Sequence, residues 1–86
     1  MKRMQDKNVS LLVEELLKAD SSDKMRNLLK GLLTAKELEE FAERIRIVQL
    51  LKKGVGQHTI AEKLGVGVAT VSRGAKEIKI GNFKYV

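Results

Sequence analysis

Apolar residues recur at helical spacing along almost the whole chain, and the interruptions are Gly, Ser, Asp and Thr rather than Pro, which is absent. Leu11, Leu12 and Leu16, with Val13 and Leu17, give a broad apolar face and predict a first helix over residues 9–19. Asn8 or Ser10 is placed to cap it. Residues 1–8 are charged and predict a flexible arm. Asp20, Ser21, Ser22 and Asp23 supply turn and capping chemistry, after which Met25, Leu28 and Leu29 predict a short helix over residues 23–30, with Leu32 and Leu33 continuing its apolar face. Thr34 and Glu37 have the Thr-x-x-Glu spacing in which hydroxyl and carboxylate each satisfy a free backbone N–H, so a third helix is predicted from Ala35. It should run to Lys53, before Gly54, and be the longest element at about 28 Å.

This third helix carries two apolar sets. Leu38, Phe41, Ala42, Ile45, Val48 and Leu51 form one stripe, while Ile47 and Leu50 fall beside it. A helix wetted on one side needs only one set, so the pattern predicts packing on two sides, the second by another copy of the chain. The segment 54–56, Gly-Val-Gly, links to a helical pair. Ile60, Ala61 and Leu64 share one face of a short helix over residues 57–64, and Ala61 is small enough for a close crossing. Gly65 stands where a helix end favours positive φ. From Val68 the apolar positions are Val68, Val71, Ala75 and Ile78, one buried stripe of a last helix over residues 68–79. Ala69, Thr70, Ser72, Arg73 and Lys76 are left outward. A small, hydroxylated and basic face of this kind suits a helix lying in a major groove between phosphates. A plain helical hairpin buried in a core is the simpler reading of the same spacing. After Gly81 and Asn82 a tail, residues 80–86, carries Phe83 and Tyr85; it could dock on the domain or a partner, or stay disordered.

Composition narrows the choice. Leu and Lys, 12 each, are the commonest residues and proline is absent, which favours an all-α chain. With 86 residues the chain makes one small domain (1–86), which as a monomer would bury only about 60 to 65% of its unfolded surface, so help from a second copy is expected. Cysteine is absent and there is one histidine, which leaves no disulfide scaffold and no metal site to argue for. Nothing approaches a membrane span or a secretory signal, and a cytoplasmic location is expected. Charge is unevenly placed. Residues 1–43 hold 8 basic and 9 acidic side chains, whereas residues 44–86 hold 9 basic and 2 acidic, a balance of +7 in the half that contains the helical pair. That coincidence points to a polyanion, and nucleic acid is the one that also explains the pair. Two phenylalanines, one tyrosine and no tryptophan are too few for the stacking platforms of single-strand binders, so double-stranded DNA is the expected partner. No nucleophile–base pair or carboxylate dyad is visible, and an enzyme is not expected.

Taken in order, Leu32-Leu33-Thr34, the run Glu43-Arg44-Ile45-Arg46-Ile47-Val48, Leu50-Leu51-Lys52-Lys53-Gly54 and the stretch from Leu64 to Gly74 resemble the Trp repressor family. The resemblance covers about residues 9–79 and implies an all-α, intertwined homodimer. Residues 9–53 would be its dimerisation helices and residues 57–79 its helix-turn-helix. By position, the resemblance implies DNA contacts from Gln57, His58, Gly67 and Val68, and from Ala69, Thr70, Ser72 and Arg73. It also implies a small effector such as L-tryptophan: in that family two arginines sandwich the indole and a threonine helps hold the carboxylate, and Arg44, Arg73 and Thr34 stand at those positions. Two positions depart from the pattern. Gly31 replaces a leucine of the pocket wall, and Glu77 replaces a serine near the amino group, where it could bind an ammonium or reach Arg44 or Arg73 and fill the pocket itself. An ion pair of Arg44 with Glu40 is the alternative for that arginine. The expected function is a sequence-specific double-stranded DNA-binding transcriptional regulator, a repressor, with no obligatory cofactor and an amino-acid corepressor as its effector. The competing function is a helical protein-interaction module, antitoxin-like or an adaptor, built on the third helix and the aromatic tail.

Overall fold

The computed structural model describes residues 2–86 and contains five helices: α1 (Lys2–Lys18), α2 (Ser22–Leu32), α3 (Ala35–Lys52), α4 (Gln57–Leu64) and α5 (Val68–Lys79). The chain is all-α, as expected. It divides into two compact units, one ending at Leu38 and the other comprising Glu39–Val86.

In the first unit α1 starts at Lys2, well before Val9, and takes Asn8 and Ser10 into its interior. The residues expected as an arm are mostly Lys, Arg, Met and Gln, which lose little side-chain freedom in a helix and contain no breaker; Met1 lies outside the described residues. Ser21 caps α2, its Oγ accepting from the Lys24 N–H at 3.2 Å, so this helix begins one residue before Asp23. It also continues past Lys30 through Gly31 to Leu32, and the Leu33 N–H closes it on the Leu29 carbonyl. No residue of α2 is buried. Leu11, Leu12, Val13 and Leu17 of α1 are exposed as well, so this unit presents apolar helix faces and, among its described residues, none is buried.

The capping box forms as the spacing predicts. The Thr34 N–H donates to the Glu37 carboxylate at 2.9 Å and the Glu37 N–H donates to the Thr34 hydroxyl at 3.1 Å.

In the second unit the core consists of Ile47 and Val48 of α3, Ile60 and Ala61 of α4 and Val71 of α5. Leu50, Leu51, Val55, Leu64 and Val66 pack around Ile47, Ile60, Ala61 and Val71. Burying each large aliphatic side chain here contributes about 1.5 to 3 kcal/mol. This changes the expected sharing of α3, although Val48 and Leu51 of the main stripe stay in the same-chain core. Ile47 and Leu50, assigned to a second copy, face α4 and α5 of the same chain, while Phe41 and Ile45 of the main stripe are 46% and 40% exposed. Helical periodicity reveals both stripes but not which neighbour covers which. The stripe of α5 also needs a correction: Val71 is fully buried and Ala75 and Ile78 half-buried, but Val68 is exposed.

Gly65 ends α4 in the left-handed conformation at φ 68 and ψ 35. The Val66 N–H then donates back to the Ala61 carbonyl at 3.0 Å, the six-to-one bond that reverses a chain after a helix. At Gly74 the approach of α5 to α3 is close enough that a Cβ would lie 3.1 Å from Ile47 Cγ2 and 3.6 Å from Leu51 Cδ1. Any larger residue there would push into a filled core.

The capping box gives stability a pH dependence. Hydrogen bonds from the Thr34 N–H and then the Thr34 hydroxyl favour the Glu37 carboxylate and lower its pKa from 4.5. With the folded value depressed, the contribution is complete above 4.5 and is lost as pH falls through the folded pKa. Glu37→Ala, which removes the titrating carboxylate, should therefore lower the thermal midpoint at neutral pH, and its deficit against the wild type should shrink well below pH 4.5. A deficit that does not change with pH would contradict this account.

Candidate nucleic-acid interface

Two local choices fix the presentation of α5. Val71 anchors it through the core, and the left-handed Gly65 sets its crossing with α4. What remains outward is the face read from the sequence: Ala69, Thr70, Ser72, Arg73 and Lys76 are all exposed, together with Gly67, Val68 and His58, while Gln57 is half-buried. The pair is braced at its outer edge, where the Ser72 hydroxyl donates to Gln57 Oε1 at 2.6 Å. Gln57 and Ser72 thus orient each other as well as facing solvent.

Both helices of the pair begin at a glycine, Gly56 for α4 and Gly67 for α5, and neither start carries a side-chain capping bond. Their first N–H groups point outward at the positive ends of the helix dipoles, and no carboxylate lies in either first turn. Together with Arg73 and Lys76 they make a surface that can hydrogen-bond phosphates on either side of a groove, while Thr70 and Ser72 can reach base edges.

Beside this surface lies a cavity of about 520 Å³, within the range of small-molecule sites. Its floor is Ile47, Val48 and Gly74, and its rim includes Arg44, Thr70 and Arg73. Glu40, Glu43 and Glu77 add three carboxylates, and Asn82 and Phe83 form a further wall. The structure therefore brings together three of the four residues suggested for an effector: Arg44, Arg73 and Glu77. Thr34 is placed in the other unit, where its hydroxyl is engaged in the capping box. Arg44 does not pair with Glu40; its guanidinium lies over the Phe41 ring, 5.4 Å from the centroid. Among the described residues the ion pairs are Lys18–Glu15 and Lys24–Asp20, both on the surface.

Glu40, Glu43, Asn82 and Phe83 were not singled out from the sequence as lining residues. Glu40 and Glu43 could have been found, since they precede Arg44 and Ile47 by one helical turn. Gly74 also carried a signal, because a glycine inside a helical pattern usually marks a close approach.

The profile of the Trp repressor protein family matches residues 7–86. The chain belongs to the Trp repressor family. Similar proteins include the Trp operon repressor homolog of Xylella fastidiosa (strain M23), 39% identical over 75 residues, spanning 86% of this chain and 82% of the relative. That of Vibrio vulnificus (strain YJ016) is 39% identical over 70 residues, 79% of this chain and 69% of the relative. That of Photobacterium profundum is 42% identical over 69 residues, 79% and 67% respectively. No solved structure matches the chain. Membership makes the protein a repressor-type regulator in a family that is not enzymatic. Among the described residues no helix is long and apolar enough to cross a membrane.

Proposed function

We propose that this chain is a sequence-specific double-stranded DNA-binding transcriptional repressor that acts as a homodimer and responds to a small amino-acid effector. The observation that carries the first part is the exposed face of α5, with Thr70, Ser72, Arg73 and Lys76 outward, in a half of the chain whose balance is +7 (9 basic against 2 acidic residues). In this reading α5 enters the major groove and Gln57 and His58 approach the backbone from α4. Val68 and Ala69 reach thymine methyls, and the free N–H groups at Gly67 hold a phosphate. The relatives' name, Trp operon repressor homolog, supports the same direction.

The dimer is supported by what the single chain leaves uncovered. Leu11, Leu12, Val13 and Leu17 of α1 in the first unit and Phe41 and Ile45 of α3 in the second are exposed, apolar side chains that a second copy could cover. Pairing two copies would cover it and place two α5 helices about 34 Å apart, one turn of the duplex. The effector reading rests on the cavity: rim guanidiniums of Arg44 and Arg73 suit a carboxylate, and Glu77 suits an ammonium. L-tryptophan is the first ligand to test.

Titration of a selected operator duplex should show Arg73→Ala and Thr70→Ala each weakening specific binding by about tenfold, roughly 1 to 2 kcal/mol, with helicity and unfolding midpoint retained. Unchanged affinity in both would contradict the placement of α5. Calorimetry with L-tryptophan should give a heat that Arg44→Ala and Glu77→Ala abolish. An absence of heat from the wild type would remove L-tryptophan as effector and leave the DNA reading standing.

A further inference from the structure

After α5 the backbone folds back on its own unit. Gly81 turns it at φ 105, and Phe83 turns it again at φ 57, the one non-glycine residue with positive φ among those described. Two anchors hold the returned segment. The Asn82 N–H donates to the Glu77 carbonyl at 2.9 Å, and the Asn82 amide reaches the Glu77 carboxylate at 3.5 Å. From the last turn of α3, the Lys52 ammonium donates to the Phe83 carbonyl and, at 3.0 Å, to the Val86 carbonyl.

These bonds tie the end of α5 to the last turn of α3. At Gly74 α5 meets α3 without any side chain of its own, and beyond it Ala75 and Ile78 are only half-buried. The C-terminal half of α5 therefore has little apolar area to fix it, although Lys76 on that half and Arg73 just before it must be aimed. We propose that residues 80–86 are a strap that fixes this half of α5 against α3, with Lys52 as the positioning residue, so that operator affinity depends on Lys52 without Lys52 touching DNA. The proposal rests on the reading of α5 as the DNA-binding helix. A cation in the last turn of α3 could instead contact a phosphate directly, and the two roles differ in a measurable way: a phosphate contact contributes to the salt dependence of binding, and a strap does not.

The test is operator titration over a range of salt with the full-length wild type, Lys52→Met, Lys52→Arg, Phe83→Pro and the double variant Lys52→Met/Phe83→Pro, accompanied by amide hydrogen exchange. Proline cannot adopt positive φ, so Phe83→Pro releases the strap while leaving α3 untouched. Lys52→Met and Phe83→Pro should each weaken binding by about fivefold and the double variant by no more than either alone, because both remove the same hydrogen-bonded strap. The salt slope should stay at the wild-type value, Lys52→Arg should restore affinity, and exchange at Asn82 and Val86 should accelerate in both released variants. A slope reduced by about one in Lys52→Met would make Lys52 a phosphate contact and overturn the proposal. Additive losses, or unchanged exchange at Asn82 and Val86, would overturn it too. If the wild type binds no duplex, the DNA reading of α5 fails together with the claim on affinity. Exchange at Asn82 and Val86 still reports separately whether Lys52 holds the strap.

Discussion

At Gly74 the last helix comes so near α3 that a Cβ would lie 3.1 Å from Ile47 Cγ2, tighter than an ordinary contact, and most features of the second unit follow from that approach. It brings Val71 into contact with Ile47, Ile60 and Ala61, so one small cluster fixes three helices at once. It turns Thr70, Ser72, Arg73 and Lys76 outward, because the opposite side of α5 is the side pressed on the core. It also leaves a cavity beside the contact, floored by Ile47, Val48 and Gly74 and rimmed by Arg44 and Arg73. Arg73 thus belongs both to the outward face and to the rim of the cavity.

What the sequence revealed was mostly local. The capping box at Thr34 and Glu37, the left-handed Gly65 and the bounds of α4 and α5 all depend on residues within one or two turns of each other, where spacing and side-chain chemistry suffice. Pattern also showed that α3 carries two apolar stripes, yet it assigned Ile47 and Leu50 to the wrong neighbour. Choosing the neighbour requires knowing where α4 and α5 lie, and that is decided by Gly74, whose role appears only once two distant helices touch. Val68 illustrates the same limit: its spacing fits the buried stripe, but at the first position of α5 it falls beyond the reach of the core and is exposed.

The strap was out of reach for a related reason. Phe83 reaches the cavity wall through a positive-φ turn and a bond from a lysine 31 residues earlier, and nothing in the local pattern of residues 80–86 specifies either. The start of α1 differs for the opposite reason. A charged segment without apolar periodicity places the first helix from about Val9, whereas helix-favouring residues without a breaker extend α1 back to Lys2. Exposed polar helices carry little pattern to read.

The basic half of the chain presents an exposed polar face on α5, the face proposed above to meet a DNA duplex. The most direct test is to titrate isotopically labelled protein with its operator duplex and follow each backbone amide by NMR. Shifts concentrated at His58 and from Gly67 to Lys76, with the first turns of α1 unmoved, are the predicted result. Shifts confined to α1 and α2, with Thr70, Ser72 and Arg73 unmoved at saturation, would contradict it.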